Sequence, residues 1–166
     1  MDHPFVSRDS VTRPNNTNTY TSKDVINESV AKLMVFRDIV PREGMGFWIL
    51  AARVISNNVP SITGSFLLLL FRERVIVPID HAVFAPTVPE LHTLFGIVVF
   101  DTGIKISNAT IYTPSSFSPV YGVTKYDKKE VYGVLLDNSG YVPGAMETFR
   151  VLLSGTYELP ERHGMM

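Results

Sequence analysis

From Lys32 onward, short runs rich in Val, Ile, Leu and Phe alternate with connections carrying Pro, Gly, Asn and Ser. That pattern predicts strands rather than amphipathic helices. The expected strands are Lys32–Val40, Gly46–Asn58, Gly64–Val77, Phe95–Asp101, Lys105–Thr113, Glu130–Asp137 and Glu147–Leu159. In Gly46–Asn58, Phe47, Ile49, Ala51, Arg53 and Ile55 fall on one face, and Trp48, Leu50, Ala52, Val54 and Ser56 on the other. Both sets are apolar near the middle, so this strand is expected to be buried on both sides. One short helix is expected over Val88–Leu94, with Thr87 as N-cap, Pro89 and Glu90 in the first turn and Gly96 beyond its end. Seven or eight strands and one helix predict an all-β antiparallel sandwich.

The first residues break this pattern. Arg8 to Ser29 contains three aliphatic side chains, Val11, Val25 and Ile26, among Thr, Asn and Ser. Pro4 and Pro14 oppose a helix. The expected organisation is an extended polar N-terminal arm over residues 1–29 and a β-sandwich domain over residues 30–166.

Composition narrows the chemistry. The chain has 166 residues, 45% hydrophobic and 19% charged, enough for one well-filled core. The net charge of −1, with no basic run, argues against nucleic acid as a ligand. The absence of cysteine removes disulfides, thiolate metal sites and thiol catalysis. The start carries no apolar h-region, so no signal peptide is expected, and the longest apolar run, Phe66–Phe71, is too short to span a bilayer.

No G-x-S-x-G elbow or phosphate-binding Gly-rich loop occurs. His3, His81, His92 and His163 lack the spacing of a metal pair, and no cofactor is expected. The three N-x-[ST] triplets, at Asn15, Asn27 and Asn108, fit chance in a Thr- and Asn-rich chain. Phe36, Phe47, Phe66, Phe71, Phe100 and Phe149 fall in strands and are expected in the core, whereas Tyr121, Tyr126 and Tyr141 fall in predicted loops and are candidates for surface contact.

Three stretches carry a resemblance. Arg13, Pro14, Thr17, Tyr20, Asp24 and Val25 follow a T-R-P-x-x-T-x-x-Y-x-x-x-D-V opening. Ser65–Asp101 is similar to an L-x-L-F strand followed by a proline loop, D-[NH]-A-x-F-x-P-T-x-x-E and a G-x-V-x-F strand, with His81 where Asn is commoner. Val131–Leu159 is similar to a closing tyrosine-bearing hairpin. Together they resemble a family of tailed-phage virion structural proteins. The resemblance implies a jelly-roll-like sandwich and a non-enzymatic cement or decoration protein on the capsid surface, assembled in the host cytoplasm. It also implies a homotrimer whose partner is the major capsid protein, with neither nucleic acid nor membrane as ligand. On that reading Arg13, Pro14, Tyr20 and Asp24 belong to an arm that orders against a neighbouring subunit. The alternative is a receptor- or glycan-binding module of a tail or head fibre, reading its ligand through Tyr121, Tyr126 and Tyr141. A hydrolase hidden in the sandwich has no nucleophile or metal spacing behind it.

Overall fold

The computed structural model describes residues 2–159, and His163 lies outside them. Ten strands and one helical turn follow one another as β1 (Asp2–Thr12), β2 (Met34–Phe36), β3 (Gly46–Ser56), β4 (Phe66–Phe71), α1 (Val88–Leu91), β5 (Leu94–Phe100), β6 (Thr102–Ile106), β7 (Ala109–Thr113), β8 (Val120–Val123), β9 (Val131–Asp137) and β10 (Thr148–Glu158). They form an antiparallel β-sandwich. One sheet runs β1-β10-β3-β7-β6, with β8 also pairing β3, and the other runs β2-β9-β4-β5.

The inner faces meet in an aromatic core. Phe66 packs edge-on against Tyr112, Tyr141 and Phe149, and Phe5 against Phe47, with Phe36, Leu68, Phe100 and Leu153 filling between them. The four-stranded sheet is also covered on its outer face. Val35, Phe71, Tyr132, Val134 and Leu136 lie there beneath Val75, Val77 and Phe84 of the long β4–α1 connection. Every residue of β9 is therefore buried.

The expected strands Lys32–Val40 and Gly64–Val77 shorten to Met34–Phe36 and Phe66–Phe71, with Val75 and Val77 falling in the β4–α1 connection, and two further departures from the sequence pattern have local causes. In β3 the inward positions are Phe47 and Ile49, then Ala52, Val54 and Ser56. The phase changes because Ser154 pairs with Ala51 and Gly155 with Ile49, which leaves Leu50 as the extra residue of a β-bulge. One extra residue swaps the faces, so a strand that reads as apolar on both sides is buried on one. Gly155 makes the bulge possible, because a Cβ there would sit 1.8 Å from the Trp48 carbonyl oxygen. The expected strand Lys105–Thr113 is instead a hairpin of β6 and β7, turning at Ser107 and Asn108 with Ser107 at φ 45°. The helix forms with the expected cap but ends at Leu91, short of the expected Leu94, which opens β5: Thr87 Oγ1 accepts from Glu90 N, and the Glu90 carboxylate accepts from Thr87 N.

The N-terminal arm is corrected. Residues 2–12 are β1, paired along their whole length with β10. Phe5, Ser7 and Val11 face inward and are buried. The sequence concealed this strand because Ser7 and Asp9 occupy inward positions at the sandwich rim. There Ser7 Oγ donates to the Arg37 carbonyl and Asp9 Oδ2 accepts from Val35 N. Val25 and Ile26 are also buried, lying against β9 through Ile26 N to the Leu135 carbonyl (2.9 Å). The boundary at residue 29 separates no arm from the body.

A candidate interaction face on the six-stranded sheet

The residues of the T-R-P opening do converge, but inside the molecule. Arg13 is fully buried, and each of its N–H groups has an acceptor. Nε donates to Tyr20 Oη, Nη1 to the carbonyls of Asn16 and Gly144, and Nη2 to Asn16 Oδ1 and to Asp80 Oδ2 at 3.1 Å. Tyr20 Oη donates to Asp80 Oδ1 (2.5 Å), which also accepts from Asn27 N (3.0 Å). His81, held at φ 64°, stacks on the Tyr20 ring at 4.1 Å and places Nδ1 2.8 Å from Asp80 Oδ2. Burial, then the neighbouring Asp80 carboxylate, pushes the Tyr20 phenol well above the ordinary tyrosine range.

Pro14 and Asp24 serve the same packing. The Pro14 carbonyl accepts from Asn16 N and Met146 N. Asp24 Oδ2 accepts from Thr21 N, and its backbone bridges toward Val83. Arg13, Pro14, Tyr20 and Asp24 therefore fasten the first residues to the loop at Asp80, and Arg13, Tyr20 and Asp24 are not available to a partner.

The three tyrosines separate. Tyr141 is buried, donating from Oη to Glu147 Oε1 (2.8 Å), and burial raises its phenol far above the ordinary range. Glu147 is itself buried and accepts from Ser56 Oγ, Asn58 Nδ2 and Gly144 N. The Tyr141 loop is pinned because the Asp137 carboxylate accepts from the backbone N–H groups of Ser139, Gly140 and Tyr141. Tyr126 is 80% exposed at the β8–β9 turn, with Lys125 Nζ over its ring. Tyr121 is not in a loop but in β8, facing outward.

Tyr121 leads to a surface the sequence did not single out. Its cross-strand neighbour is Trp48, with ring centroids 5.0 Å apart. Trp48, Tyr121 and the bulged Leu50 are each between 43% and 52% exposed. Beside them Phe95–Val99 and Ser116–Tyr121 line an open groove of about 420 Å³. Farther along the same face stand Val6, Ala51 and Leu152 around a shallow groove of about 400 Å³, with Arg8, Arg53 and Arg150 exposed beside them. The contrast with the other sheet is physical. The β4–α1 connection covers the outer face of the four-stranded sheet, while no segment among the described residues covers the six-stranded one. An exposed aromatic pair with aliphatic neighbours is the kind of patch that binds.

Among the described residues no group of three or more His, Asp or Glu is placed to hold a metal ion, and no helix is long and apolar enough to cross a membrane. Buried polar side chains are almost all hydrogen-bonded there, Thr124 Oγ1 being the exception. Compared with known proteins, the chain matches no family model and no curated protein sequence.

Proposed function

We propose that this chain is a non-enzymatic binding protein that docks through the outer face of its six-stranded sheet, and that its setting is the tailed-phage virion. There it acts as a cement or decoration protein, a homotrimer stabilising the lattice of the major capsid protein. The observation that carries the docking reading is the Trp48–Tyr121 pair, exposed with Leu50 on a sheet face left open. The virion setting draws on the sequence resemblance. The strand orders β1-β10-β3-β7 and β2-β9-β4-β5 support a jelly-roll winding, an architecture shared by capsid and lectin domains.

A cement protein needs a stiff body and a surface repeated many times, where modest contacts add through multivalency. The stiff body is consistent with N-terminal residues locked by a saturated buried arginine. The test is cosedimentation of the Trp48→Ser, Tyr121→Ser double variant with capsids. Loss of a buried tryptophan anchor costs about 2 kcal/mol or more, roughly thirty-fold in affinity. Unchanged sedimentation at an unchanged melting temperature would overturn the docking face, and a few dozen copies or fewer per particle would overturn the cement role.

The same aromatic pair favours one second reading, a glycan-binding module of a fibre, since exposed aromatic faces stack on sugar rings. Of the three tyrosines expected for it, Tyr121 serves and the buried Tyr141 does not. A glycan array without signal would remove that reading.

A further inference from the structure

On the six-stranded sheet, antiparallel register aligns Arg8 of β1 with Leu152 of β10, and Leu152 with Arg53 of β3. Arg8 and Arg53 thus flank Leu152 on neighbouring strands, their Cα atoms about 10 Å apart. Arg150 is the next same-face position along β10, about 7 Å from Leu152. All three arginines are exposed, and no carboxylate among the described residues forms an ion pair with any of them. On β10 the outward acid is Glu158, at the strand's far end beside β1's start. Charges on edge strands guard against aggregation, but Arg53 and Arg150 lie on the interior strands β3 and β10, where no edge needs guarding. Like charges gathered this closely repel one another, and an anionic partner relieves that repulsion.

We propose that Arg8, Arg53 and Arg150 form a recognition site for an acidic segment of a protein partner, an inference that rests on reading this face as a docking surface. The chemistry of the patch selects the partner class. Guanidinium groups pair bidentately with carboxylates. Leu152 lies between Arg8 and Arg53, and Val6 and Ala51 stand in the next row on the side away from Arg150, so the occupant also presents apolar side chains. An extended peptide alternating acidic and apolar residues meets both demands. A nucleic-acid strand or a sulfated glycan supplies the charge but leaves the aliphatic positions facing backbone or sugar.

The full chain is titrated against a fluorescein-labelled peptide of about ten residues alternating Glu and Val. Fluorescence anisotropy should show binding that weakens from about 50 to about 200 mM salt. Charge reversal, Arg53→Glu with Arg150→Glu, should lower the affinity by about tenfold or more, and Arg53→Lys with Arg150→Lys should give an intermediate loss. Reversal of Lys128 and Lys129, at the β8–β9 turn, should leave it unchanged. If charge reversal lowers the melting temperature, the Arg53→Ala, Arg150→Ala pair replaces it. Full affinity in the folded arginine variants overturns the site. An oligothymidylate or heparin fragment binding as tightly as the peptide overturns the choice of an acidic protein segment. Should the peptide not bind while capsid association still depends on Trp48 and Tyr121, this inference falls and the docking face stands.

Discussion

Replacing Asp80 by alanine removes the single carboxylate that the buried Arg13, Tyr20 and Asn27 share. Arg13 has no exposed side-chain surface and Asp80 has 3%, so water cannot take over the lost contact. Leaving one member of a buried ion pair uncompensated costs about 3–5 kcal/mol. Stranding a buried donor, here Tyr20 Oη or Asn27 N–H, costs about 1–3 kcal/mol each. These losses share one relaxation, so a total near 4–6 kcal/mol is expected rather than their sum. For a chain of this size each kcal/mol moves the melting point by roughly 2–4 °C, which places the variant about 10–20 °C below the parent. Urea unfolding followed by tryptophan fluorescence gives the free energy, and circular dichroism gives the melting point. The control is the triple replacement Arg13→Met, Tyr20→Phe, Asp80→Leu, which removes the three buried polar side chains together and leaves backbone groups such as the Asn27 N–H without their former partners. It should recover much of the loss, because the large cost lies in the orphaned partner. A loss under about 1 kcal/mol for Asp80→Ala would refute the assignment of this network as the fastening of the first residues.

Four further outcomes follow from the same geometry. Deleting residues Met1 to Asn27 should abolish folding rather than free a tail, since it removes β1 and Arg13, and a cooperative melt of the truncated chain would contradict that. Gly155→Ala should destabilise by about 3 kcal/mol or more or prevent soluble expression, because its Cβ meets the Trp48 carbonyl at the β3 bulge, and denaturant titration reads the loss. Stability should fall as pH rises above 10.0, the ordinary tyrosine value, because the unfolded chain releases the Tyr20 and Tyr141 protons while the folded chain keeps them. Each of the two contributes up to about 1.4 kcal/mol per pH unit, and an alkaline limb that falls less steeply in Tyr20→Phe, Tyr141→Phe than in the parent checks it, the remaining slope coming from Tyr112 and Tyr132, whose phenols burial also raises. Thr87→Ala should cost about 1 kcal/mol at the α1 cap, measured the same way.

Local pattern made much of this molecule legible. Strand segments such as β3, β9 and β10 show as apolar runs between turn residues, and the α1 cap shows as Thr87 followed by Pro89 and Glu90, because these features depend on neighbours a few residues away. Arg13, Tyr20 and Asp24 stood out as a set only through the resemblance. Their role did not, since Asp80 lies across the fold from Arg13 and only packing brings the two together. An arginine in a polar stretch reads as solvated until a distant carboxylate and carbonyls take all its N–H groups.

Tertiary structure alone decided the rest. It drew β1 out of a polar stretch by placing Ser7 and Asp9 where rim carbonyls and amides need partners. It changed the phase of β3 at Leu50 because strand register is set by the partner strand and not by composition. It covered one sheet with the β4–α1 connection and, among the described residues, left the other open, turning Trp48 from an apparent core residue into part of an exposed pair with Tyr121. Period-two alternation tells which residues share a face of a strand. Whether that face meets core, loop or solvent depends on layers assembled from distant segments, and there the sequence pattern ends.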